Sequence, residues 1–243
     1  MVFEVTPFPS HPMTKASTLQ LARITGVLYL LIIVFGLIAQ IFVRDSLVDY
    51  GNASITAENI LNSEAWYRFG FVSELLMLIC DVGVASLLYL ILRETHKSLS
   101  VISSAFRLSS ALILSVTALS HYAALSLISG SEYLNAFDSF KLHSLALFSI
   151  KIHGVGYNIC LLFFGVHLVL LGTLINKSIL FPKYIGLLLW IGGICYVINS
   201  LVWFQFPDWV KYIYPYIILP SAVGEWIFCF YLIVRGVKNS RTP

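Results

Sequence analysis

Six stretches of this chain have the length and apolar character of segments that cross a bilayer, a constraint few folds can meet. A helix spanning the hydrocarbon layer needs about 20 predominantly apolar residues. Stretches of this kind lie at residues 24–43, 69–92, 99–128, 152–175, 184–204 and 212–234. Lipid offers no water to unpaired backbone groups, so segments of this length span as helices. The expected fold is all-α: a polytopic membrane protein with a bundle of six transmembrane helices. Residues 1–21 and 238–243 read as polar tails flanking a transmembrane domain over 22–237. Residues 142–150 are also apolar and either lengthen the fourth span or lie in the interface before it; Lys151 favours the interface.

Composition agrees. Charged residues make up 11% of the chain and hydrophobic residues 58%, with a mean hydropathy of +0.87. A soluble domain carries about 25% charged residues, so this chain cannot solvate an ordinary surface. No basic run with interleaved aromatics is present, which gives nucleic-acid binding no support. The four cysteines, Cys80, Cys160, Cys195 and Cys229, fall inside the spans without a C-x-x-C pair and read as small buried hydrophobes. The first twenty residues lack the basic start and cleavage site of a signal peptide, so the first span is expected to be retained.

Loop charge sets orientation. One side carries Lys15, Arg23, Arg93, Lys97, Lys177, Lys183, Arg235, Lys238 and Arg241. The other carries Arg44, Arg68, Lys141, Lys151 and Lys211 with most of the acids. Both termini are therefore expected in the cytoplasm. On the outer side, Trp203, Phe204, Phe206, Trp209, Tyr212, Tyr214 and Tyr216 form an interfacial aromatic belt or a ligand-facing lip. The third span is rich in serine and alanine and is the candidate central helix, because small residues let helices approach closely in lipid. Pro220 is expected to kink the sixth span, and Gly192 and Gly193 to loosen or closely pack the fifth.

Ionisable residues inside these spans are the functional clue. Such groups are costly in hydrocarbon, face protein or water, and mark sites. Depth along the helices brings Asp81, Arg107, His167 and Glu225 to one inner level, where two carboxylates compete for one arginine. The carboxylate that loses this competition is expected to stay protonated or to pair with His167. These four are the candidate ligand-binding residues. Glu74, His121 and His153 form a second cluster nearer the outer side. Two histidines and a carboxylate suit a metal, or a haem at His121 and His153. No local ligand motif demands either, and the sequence implies no cofactor. No catalytic residue is assigned.

Three functions remain open at this point: binding or transport of a small amphipathic molecule or lipid in a polar cavity; a membrane-embedded enzyme using histidine and carboxylate chemistry; and an accessory protein packed against a membrane partner. No P-loop, dinucleotide fingerprint or G-x-S-x-G motif is present.

Four segments carry a family resemblance. Residues 22–31 read ARITGVLYLL, and residues 81–108 open with DVGVASLLYLILR and end with SSAFRL. Residues 167–200 read HLVLLGTLINKSILFPKYIGLLLWIGGICYVINS, and residues 224–237 read GEWIFCFYLIVRGV. Together they resemble the bacterial membrane-protein family known as domain of unknown function 4386, over nearly the whole chain. The resemblance implies a multi-spanning helical domain in a bacterial cell membrane. It supplies no assigned activity and no site residues.

Overall fold

The computed structural model describes residues 15–238. The expected polar tails over residues 1–14 and 239–243, Arg241 included, lie outside the described residues. Helix α1 covers Lys15–Leu37 and thus begins inside the segment expected as a tail. It continues without a break into a π-helical turn, Ile38–Arg44. A short outer helix, α2 (Ala53–Asn62), follows, and then α3 (Glu64–Leu92), α4 (Lys97–Ile128) and α5 (Ser139–Lys177). The chain ends with α6 (Lys183–Gln205), the short α7 (Pro207–Ile213) and α8 (Leu219–Val234). Among the described residues, six helical segments are long and apolar enough to cross a membrane, as the sequence predicts.

Local chemistry explains the helix ends. Asn52 caps α2 by accepting from the amides of Ser54 and Ile55, and Asp138 caps α5 by accepting from the Lys141 amide. Gly236, at φ +69°, takes the left-handed conformation that lets the chain leave α8. The Lys238 amide then donates to the Leu180 carbonyl at 2.7 Å, tying the end of α8 to the α5–α6 loop.

Two expectations are corrected here. Residues 142–150 do not lie in the interface as a separate segment; they are part of the continuous 39-residue α5, because no Gly or Pro interrupts the run and Asp138 starts the helix early. Pro220 does not kink the last span. It sits in the first turn of α8, where a missing N–H costs nothing, and the Tyr216 carbonyl accepts from the Leu219 amide.

The helices form a closed ring. Each spanning helix packs on the next, α1 on α3, α3 on α4, α4 on α5, α5 on α6 and α6 on α8, and α8 returns to α1. This up-and-down order follows from short connections between antiparallel neighbours. No helix is central. The small-residue face of α4 packs inward through Ser103, Ser110, Ala111 and Ala118, but its opposite face shows Leu112, Val116 and Leu119 to the outside. The α5–α6 seam is built on glycines. A Cβ on Gly165 would meet the Gly193 carbonyl oxygen at 2.7 Å, and one on Gly193 would meet the Gly165 oxygen at 2.5 Å. Gly192 and Gly193 therefore serve close packing. The four cysteines are free, and three of them are buried.

Candidate functional site

Among the described residues, two adjoining chambers, each partly open, lie against the inner face of the ring. The inner chamber, about 310 Å³, takes lining residues from all six spanning helices, among them Met77, Leu114, Leu161, Phe164 and Ala222. Its polar lining includes Asp81 and Glu225 at one end and Arg44 and Glu74 at the other. The outer chamber, about 580 Å³, shares Gln40, Arg44, Tyr157, Leu161, Tyr196, Tyr214 and Ile218 with the inner one. Its own lining adds Lys151, His153, Asn158, Asn199 and Trp203, and contains no carboxylate. The aromatic residues of the outer end thus divide. Trp203 and Tyr214 line the chamber, Tyr214 being exposed as well, whereas Trp209, Tyr212 and Tyr216 are exposed and line neither chamber.

At the inner level, α3, α4 and α5 bring Asp81, Arg107 and His167 together. Arg107 is fully buried. Its Nε and Nη2 donate to Asp81 Oδ1 at 2.8 and 2.5 Å. Its Nη1 faces His167 Nε2 at 3.2 Å. An arginine N–H can only donate, so this ring nitrogen accepts, and His167 Nδ1 carries the proton that it gives to the Ser103 carbonyl at 2.9 Å. Both ring nitrogens of His167 thus have a partner of the right kind. The rings of Tyr29 and Phe164 flank the guanidinium at 4.9 and 5.1 Å from their centroids, a favourable seat for a buried cation.

Glu225, the fourth residue expected here, joins indirectly. Its Oε2 accepts from the Tyr29 hydroxyl at 2.9 Å and its Oε1 from Tyr196 at 2.8 Å. It pairs with neither Arg107 nor His167; two tyrosines satisfy it instead. Asp81 and Glu225 line the inner chamber, and Arg107 and His167 stand behind them. Asp81 Oδ1 takes both arginine bonds, which leaves Oδ2 without a hydrogen bond among the described residues.

The second cluster also assembles, with a member assigned above to the outer loop. Glu74, His121 and His153 are buried, and Arg44 lies among them at 5% exposure. Arg44 Nη1 is 2.8 Å from Glu74 Oε2, 3.1 Å from His121 Nδ1 and 3.2 Å from His153 Nε2. The π-helical turn carries Arg44 there: the Asp45 amide reaches back five residues to the Gln40 carbonyl, and Gln40 Oε1 accepts from Arg44 Nε at 3.0 Å. Such wide turns often occur at functional sites. The sequence signal for Arg44 was an acid at outer depth with no base inside the bundle to match it. Tyr29 and Tyr196 gave no signal beyond being tyrosines within apolar spans.

Two comparisons fix the relationship. The family model for a domain of unknown function, DUF4386, matches residues 24–236. The chain belongs to this family. A relative described as an uncharacterized protein, from Archaeoglobus fulgidus, is 34% identical over 172 residues, covering 71% of this chain and 86% of its own length. That relative is archaeal, so the bacterial setting implied by the sequence resemblance gains no support from it. No solved structure matches. The family description assigns no function; the multi-pass membrane character rests on the six apolar helices.

Proposed function

We propose that this protein binds, and carries or senses, a small amphipathic molecule or lipid within the ring, in a cytoplasmic membrane with both termini inside. The supporting observation is the pair of joined chambers, which have apolar walls and polar groups concentrated at fixed points. Sites for small ligands are typically apolar cavities of roughly 300–1,000 Å³ with a few placed polar groups, and the two chambers, about 310 and 580 Å³, fall in that range. The polar end of the ligand bears hydrogen-bond donors and faces Asp81 Oδ2 and Glu225, both of which present acceptors. Its apolar body lies against Leu114, Leu161 and Phe164. Orientation rests on the bases Arg93, Lys97, Lys177 and Lys183 at one end of the bundle. The burial of Arg44 removes a base from the opposite end and sharpens that asymmetry.

The reading is tested by extracting small molecules from purified wild-type protein and from Glu225→Gln. The expected result is an amphipathic molecule enriched over a detergent blank and recovered at least ten-fold less from the variant at equal folded protein. No enrichment, or equal recovery from both, overturns it.

A further inference from the structure

The two buried clusters differ in one respect. In the inner one each hydrogen bond has a consistent donor and acceptor; in the outer one the demands conflict. Three acceptors surround Arg44 Nη1, which has two hydrogens to give. His153 Nε2 is claimed twice: it faces the arginine donor at 3.2 Å and Glu74 Oε1 at 2.7 Å. If it accepts from Arg44, it presents a lone pair to the carboxylate; if it donates to Glu74, it presents a hydrogen to the arginine. His121 Nδ1 faces the arginine and accepts, so its Nε2 carries the proton, and that nitrogen is buried without a partner among the described residues.

A metal ion at the position of Arg44 Nη1 removes the conflict, because all three side chains then offer lone pairs to one centre. We propose that Glu74, His121 and His153 form a binding site for a divalent transition metal of the zinc class, held closed by Arg44 as a displaceable stand-in cation. The ligand atoms already lie within 4.8 Å of one another, and His121 Nδ1 is 3.5 Å from Glu74 Oε2. Two ligands at 2.0–2.1 Å on a tetrahedral zinc stand roughly 3.3 Å apart, so small side-chain shifts complete the set. Two imidazoles and a carboxylate suit zinc, cobalt or iron. Arg44 has somewhere to go: it lines both chambers, and its Nη2 makes no hydrogen bond among the described residues. Glu74 borders one chamber and His153 the other, which leaves room for a further ligand on the open side of the metal.

The test uses the full-length protein in mild detergent, stripped with chelator and titrated with Co²⁺ as a visible probe. The expected result is one Co²⁺ per wild-type chain, with the absorption of a nitrogen- and oxygen-ligated ion. This uptake is lost in His121→Ala and in His153→Ala. In Arg44→Gln, with the stand-in cation gone, affinity rises at least ten-fold. Wild-type protein that takes up no cobalt at millimolar concentration overturns the proposal, whatever the variants do. Uptake that persists in both histidine variants overturns it too. If Arg44→Gln fails to fold, the wild-type and histidine measurements still decide. The titration needs no amphipathic ligand, so its failure leaves the chamber reading standing, and the converse holds.

Discussion

The Tyr29 hydroxyl donates to Glu225 Oε2 at 2.9 Å, joining the first spanning helix to the last. The same tyrosine ring lies against the Arg107 guanidinium. One side chain therefore closes the helix ring and links the two carboxylate positions of the inner chamber. Tyr29→Phe keeps the ring and removes the donor. Loss of one buried hydrogen bond of this kind costs about 1.5 kcal/mol, and thermal unfolding in detergent should show it. Tyr29→Ala, which also removes the packing on Phe228 at 6.1 Å between centroids, should cost clearly more.

Arg107 is expected to act through structure, since it is buried behind the chamber wall. Removing one member of a buried ion pair costs about 3–5 kcal/mol because the other is left uncompensated. Arg107→Ala and Asp81→Ala should each destabilise by about that much. Arg107→Met combined with Asp81→Leu should regain a large part of it, as measured by thermal unfolding in the same detergent.

The glycine seam predicts a contrast. Gly193→Ala places a methyl against a backbone oxygen that cannot yield, and overpacking of this kind costs about 1–3 kcal/mol. Gly154 lies at the wall of the outer chamber, and a Cβ added there would meet nothing within 4 Å. Gly154→Ala should be neutral or stabilise by up to about 1 kcal/mol through helix propensity. Melting temperatures of the two variants check the pair directly.

Acid should loosen the start of α5. The Lys141 side chain and amide hold the Asp138 carboxyl below its usual range. A folded-state value below the unfolded one means that the stabilisation is fully present above the unfolded pKa, about 3.9, and is lost as pH falls through the folded one. The protection factors for hydrogen exchange at Lys141 and Leu142, corrected for the intrinsic rate, should therefore fall below about pH 4. Asp138→Asn keeps the cap and should flatten that dependence.

Much of this fold was legible because lipid imposes a simple code. Span length and apolarity gave six helices, and helical spacing placed Glu74 with His121 and His153, and Asp81 with Arg107 and His167. Three things escaped the code. Arg44 follows an apolar run and reads as an outer base, because a π turn that shifts a side chain into the core leaves no mark in hydropathy. Pro220 reads as a kink only if the helix begins before it. The ring could not be foreseen from the small residues of the third span, since Ser103 and Ser110 mark a close-packed face, and a face does not say whether a helix is surrounded. Glu225 was placed at the correct level, but Tyr29 and Tyr196 are its partners, and a tyrosine inside an apolar span looks the same whether its hydroxyl is used or not.

The proposed ligand lies inside the ring, between the two polar clusters. Native mass spectrometry of the wild-type protein and of Ala222→Trp, which fills the inner chamber from the α8 side, tests this most directly. A stoichiometric non-protein mass is expected on the wild type and absent from a folded Ala222→Trp. A bare wild-type chain, or the same mass retained by the filled variant, would contradict it.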